Sequence, residues 1–159
     1  MSRLLCVLIF LFFCSATLVG QTRGSSTAPV SDTLIARAHE WVDTWNYKDV
    51  ERMRQLHADD VSIQRYGIGD EFITIEKLLK EIREQNFWKL SWSIKIVQPH
   101  VRMLGADAAL VAFRLQGKET HSDGRSRIYS AAYSLVFQRY RSEWKIVHVH
   151  SGSNPIAGP

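Results

Sequence analysis

The chain has 159 residues, a length that suits one domain. Its apolar fraction of 45% and charged fraction of 23% are ordinary for a globular protein. The formal net charge of +4 is mild and no dense Lys/Arg block carries it, so composition makes no case for nucleic acid as a partner.

The first stretch has the pattern of a leader. Arg3 precedes an unbroken apolar run, Leu4 to Phe13, and small and polar residues follow. The run is short for a membrane span, so cleavage after Ala16 or Gly20 is expected, with no stable span afterwards. Both cysteines, Cys6 and Cys14, lie in this leader. The mature chain therefore has no disulfide, no thiolate nucleophile and no Cys metal ligand. Export to a periplasm or to the outside is the expected fate. The expected divisions are a signal peptide over residues 1–20, a disordered tether over 21–31, a domain over 32–155 and a tail over 156–159.

Within the domain, Ser31 and Asp32 can cap a first helix. Leu34, Ile35, Ala38, Trp41, Val42 and Trp45 recur at helical spacing up to Asn46. Asp49 can cap a second, shorter helix with Val50, Met53 and Leu56 on its apolar side, closed by His57 to Asp60. A short strand with Val61, Ile63 and Arg65 alternating follows, and Gly67 and Gly69 turn the chain. Thr74 can cap a third helix whose buried stripe is Ile75, Leu78, Leu79 and Ile82.

From about Trp88 the period changes to two. Trp92, Ile94 and Ile96 face one way, and Pro99 implies a bulge or bend in a long strand. Gly105 to Asp107 is a hairpin turn. The strand Ala108 to Gln116 carries Leu110, Ala112 and Arg114 on one face and Val111, Phe113 and Leu115 on the other. Lys118 to Arg125 reads as the next turn. The strand Ile128 to Arg139 puts Tyr129, Ala131, Tyr133, Leu135 and Phe137 on one face. In the last strand the period places Trp144, Ile146, His148 and His150 together, with Lys145, Val147 and Val149 opposite. The fold class is α+β, a curved, mostly antiparallel sheet folded over helices.

Several residues could carry function. Arg114 on an apolar strand face must be paired, as with a helix carboxylate such as Asp43, or must line a wet cavity where it anchors an anion. His148 and His150 could hold a metal or be hydrogen-bonded structural residues. No third ligand can be assigned, so neither metal nor cofactor is expected. Trp41, Trp45, Tyr133 and Phe137 can line a pocket mouth or fill the core. Asp59 or Asp60 with Tyr66, Tyr129 or Tyr133 would suit general-base chemistry, whereas a cap and a solvated turn is the plainer role for the aspartates. Both faces of the strand Ala108 to Gln116 are apolar, and the helices can cover only one. Self-association through the sheet is expected to bury the other, with Phe113 and Val147 in the interface.

The order of elements resembles the nuclear transport factor 2-like superfamily, which includes SnoaL-like proteins. The closer resemblance is to the association (hub) domain of calcium/calmodulin-dependent protein kinase II. It is carried by Pro99-His100-Val101, Met103-Leu104-Gly105, Ala112, Arg114 and Trp144 to His150, with Pro155 at the matching distance. The resemblance implies a cone with helices in the concave face of the sheet, pairing through sheets, and a pocket whose arginines receive small carboxylates. Arg114 matches one of those arginines; Leu135 and Ser151 stand where others would be. The pocket is therefore expected around Arg114, Tyr133, His148, His150 and Trp45, for a small carboxylate or apolar ligand. These residues include no kinase domain, so no signalling role is carried over. The expected function is a homo-oligomeric scaffold or ligand-binding domain. The alternative is a SnoaL-like isomerase, cyclase or hydrolase.

Overall fold

The computed structural model describes residues 29–65, 71–84 and 89–153. Helix α1 (Val30–Tyr47) is followed by α2 (Val50–Leu56), β1 (His57–Arg65), β2 (Glu71–Ile73) and α3 (Ile75–Glu84). Four long strands follow: β3 (Leu90–Met103), β4 (Ala108–His121), β5 (Ser126–Tyr140) and β6 (Glu143–Ser153). All six strands form one sheet in the order β2-β1-β6-β5-β4-β3. It is antiparallel except where β1 runs parallel to β6, so the sheet is mixed. The leader, Tyr66, the Gly67/Gly69 turn and Pro155 lie outside the described residues.

Local chemistry accounts for the helix boundaries. Helix α1 starts one residue before the expected Ser31/Asp32 cap, because Pro29 at the N-cap makes no side-chain hydrogen bond yet supplies the carbonyl for the first turn. Lys48 ends the helix in the left-handed conformation. Asp49 caps α2 by accepting from the Arg52 backbone N–H at 2.9 Å. Thr74 does the same for Lys77 at the start of α3. The expected stripe of α3, Ile75, Leu78, Leu79 and Ile82, is buried.

Three elements differ from the sequence reading. His57 to Asp60 begin β1 instead of closing α2, since β1 is drawn into the sheet by β6 at His57. Strand β4 runs on to His121, because β3 and β5 pair with it as far as Leu90 and Ser126. The turn is thus confined to the residues between His121 and Arg125. Strand β2 was not expected at all. The bulge implied by Pro99 is present: the β3–β4 register shifts between Val97 and His100, and Gln98 takes a φ of 53°.

The core lies between the helices and one face of the sheet. Ala109, Val111, Phe113 and Leu115 of β4 point into it, as do Ala131, Leu135 and Phe137 of β5. Helix α1 packs across β3 and β4. Asn46 clamps its end to the edge strand β3. Its side-chain amide accepts from the Ile94 N–H at 3.0 Å and donates to the Ile94 carbonyl at 2.9 Å. One side chain thus satisfies both backbone groups of an edge residue that has no further strand beside it among the described residues.

Candidate functional site

The site is a cup between α1, α3 and the concave side of β3–β5. Helical spacing places Trp41 and Trp45 one turn apart on α1, facing the sheet. Strand spacing brings Tyr129 and Tyr133 of β5 and Trp92 of β3 to the same side. These five rings line a cavity of about 230 Å³, with Glu81 of α3 as a further wall. The rings meet edge to face. Trp41 and Trp45 lie 5.7 Å apart at 71°, and Trp92 and Tyr129 lie 5.0 Å apart at 80°. Phe113 stacks on Tyr133 from the core side at 8°.

The polar groups of the cup are few. The Tyr129 and Tyr133 hydroxyls are hydrogen-bonded to each other at 2.9 Å. Burial raises both above the ordinary phenol range, Tyr133 further, so the pair stays neutral. The indole Nε1 of Trp41 is buried with no hydrogen-bond partner among the described residues. Beside the cup, Glu119 of β4 is 1% exposed. It accepts from Arg127 Nη2 at 2.9 Å, and His121 Nε2 lies 3.0 Å away. The hydrogen bond to Glu119 raises the Arg127 pKa. Glu119 is thus committed to an ion pair and does not line the cavity.

The sheet divides the residues expected in one pocket between its two sides. Trp45 and Tyr133 are in the cup. Arg114, His148 and His150 are on the outer face, away from the helices. Arg114 is exposed, opposite Ala132 and Val97, with no ion pair to Asp43 or any other carboxylate among the described residues. The histidines change sides because β6 carries a bulge. Phe137 pairs with Ile146 and Val136 with His148, leaving Val147 as the extra residue. Trp144, Ile146 and Val149 therefore all reach the core, and His148 and His150 turn outward. Phe113 is also misassigned: it is 5% exposed and packs against Trp41, so it belongs to the core and not to a surface between subunits. Asp59 and Asp60 are exposed at the start of β1, outside the cup, and cannot act there as a base. No group of three or more His, Asp or Glu among the described residues is placed to hold a metal ion.

The family described as the calcium/calmodulin-dependent protein kinase II association domain matches residues 31–155. The chain belongs to this family. Its fold is that of solved relatives with low identity. The association domain of the kinase from C. elegans is 18% identical, with a TM-score of 0.65, over 78% of this chain and 95% of that one. A hub homology domain from Chlamydomonas reinhardtii is 16% identical, with a TM-score of 0.69, over 80% and 99%. A nuclear transport factor 2-like protein of unknown function from Rhodospirillum rubrum is 18% identical, with a TM-score of 0.64, over 76% and 98%.

In this association domain two features of the site were missed from sequence. Glu119 and Arg127 were placed in or next to a turn, although the odd-numbered alternation of β4, continued past Leu115, leads directly to Glu119. Glu81 stands next to the buried stripe of α3 and outside it, and helical period alone cannot show that this edge of the helix borders a cavity.

Proposed function

We propose that this association domain is a homo-oligomeric scaffold that pairs through the outer face of its sheet and holds a small ligand in its cup. One observation carries the reading. The helices pack on a single face, while the opposite face bears Leu110, Ala112 and Val136, half-buried within one chain and covered by no described element. Leu110 and Val136 are direct neighbours across β4 and β5. Apolar area removed from water contributes about 25 cal/mol per Å², so pairing this face would stabilise a dimer once association costs are met. An isologous pair is the commonest closed arrangement. The family's description as an association domain supports self-association.

Light scattering at micromolar concentration tests this. The wild type is expected to be at least dimeric. Leu110→Glu and Val136→Glu should weaken pairing by about tenfold or more while circular dichroism stays native, because the charges would be buried unpaired. A monomeric wild type, or folded variants that pair normally, would remove the reading. Phe113→Glu is unsuitable here, since it would disrupt the core.

We further propose that the protein is exported. Arg3 and the Leu4 to Phe13 run support this. N-terminal sequencing of soluble protein from its own host should start between Thr17 and Thr22. An intact Met1 on that protein would refute export by cleavage.

A further inference from the structure

We propose that the cup binds an alkylated ammonium cation and discriminates against carboxylates. The proposal rests on the reading of the cup as a ligand site and names the ligand's chemistry. Three Trp and two Tyr rings from α1, β3 and β5 line the cup, together with Leu78, Ile82, Ile94 and Leu115. Ring pairs at 71° and 80° mean that the lining rings do not share one plane, so aromatic surface borders the cavity in more than one direction. The face of an aromatic ring carries negative potential, and a desolvated cation gains from every face it meets.

The charge inventory points the same way. Among the described residues that line the cavity, Glu81 is the one acidic residue, and no Lys, Arg or His contributes. The lysines and arginine of α3, Lys77, Lys80 and Arg83, are exposed and do not line it. Arg114 is on the far side of the sheet. Arg127 is next to the cup, but Glu119 holds it. A carboxylate entering the cup would lose its water and meet aromatic and aliphatic walls and Glu81, with no cation among the described lining residues to replace its hydration. An alkylated ammonium has a diffuse charge, few or no N–H groups to satisfy, and methyl groups that suit apolar walls. The space of about 230 Å³ suits a small head group.

Calorimetric titration of the full mature protein tests the proposal, with choline and tetramethylammonium chlorides as probes. The controls are dimethylbutanol, the neutral carbon isostere of choline, and sodium butyrate at matched ionic strength. Both cations are expected to saturate, and the alcohol to bind about tenfold more weakly or worse, the factor that one well-placed cation–ring contact is worth when desolvated. Glu81→Gln should lower cation affinity about fivefold and leave the alcohol unchanged, since it removes charge at constant shape. Trp92→Leu should weaken the cations more than the alcohol.

Equal binding of the alcohol and the cations, or no effect of Glu81→Gln, overturns the cation proposal and leaves an apolar ligand site standing. Preferential binding of butyrate also overturns it. If no probe binds to protein that scattering shows to be folded and paired, both the cation proposal and the ligand reading of the cup fail, while the pairing face is untouched.

Discussion

Lowering the pH from 7 to 4 is expected to cost this protein about 3 kcal/mol of stability through His57 alone, ahead of the carboxylates. His57 is the first residue of β1 and is 5% exposed. Its Nδ1–H donates to the Met53 carbonyl at 2.7 Å, which satisfies a backbone acceptor in the last turn of α2. Its Nε2 is buried with no hydrogen-bond partner among the described residues. Burial lowers the pKa from 6.5 to about 4, and the bond to Met53 opposes that only in part. The folded state thus keeps the ring neutral while the unfolded chain protonates it from about pH 6.5 downward.

Between those two values the unfolded state binds more protons, so stability falls as the pH falls. The loss begins near 6.5 and is complete near 4, where the native ring also protonates. Urea unfolding at intervals between pH 7 and 4 measures it. His57→Leu should start about 1 kcal/mol lower at pH 7, for the lost bond to Met53, and lose much less on acidification. If the variant and the wild type show parallel pH profiles, His57 does not control the acid limb.

Gly117→Ala is expected to destabilise the fold by about 3 kcal/mol, the upper range for a forced insertion into a packed interior. A Cβ at Gly117 would stand 2.0 Å from the Ser93 carbonyl oxygen and 2.7 Å from Ile94 Cα. Both are backbone atoms of β3, held by the ladder to β4 and, at Ile94, by the Asn46 clamp. Nothing there can rotate aside, so the two strands would have to part at the Ile94–Gly117 pair. That pair borders the cup, since Ile94 is one of its walls and Tyr129 is paired with Gly117 on the other side. Gly105→Ala is the control. Nothing lies within 4 Å of its Cβ position, and a change within about 0.5 kcal/mol is expected. Equal unfolding midpoints for the two variants would show that β3 and β4 can separate at no cost at Gly117.

Much of the fold can be read from local pattern. The stripe Ile75, Leu78, Leu79 and Ile82 has helical period and a threonine cap, and such a stripe has one way to be buried. Tyr129 to Phe137 alternates without interruption, and its odd positions face the core as the period requires. Pro99 removes a backbone donor, so a ladder defect near it follows from covalent chemistry alone. Trp45 and Tyr133 can be read as residues of a pocket mouth for the same reason: each stands on the apolar side of its own element.

What period could not decide is parity after a bulge and the side on which helices settle. His148 and His150 follow Trp144 and Ile146 in even steps, yet one extra residue at Val147 sends them to the other face. That extra residue is set by how β5 and β6 pair over their length, not by the residues near it. Strand β4 is apolar on both faces, so its sequence is symmetric with respect to the helices. Packing of α1 broke that symmetry, turning Phe113 into the core and Arg114 to the outside. The cup joins Trp45, Trp92 and Tyr133, which are far apart along the chain and meet only when α1 crosses the sheet. Residue types and local periods were determined by the sequence itself. The sharing of faces between helices, partner and ligand was decided by tertiary structure, because it depends on pairings whose energy comes from distant strands.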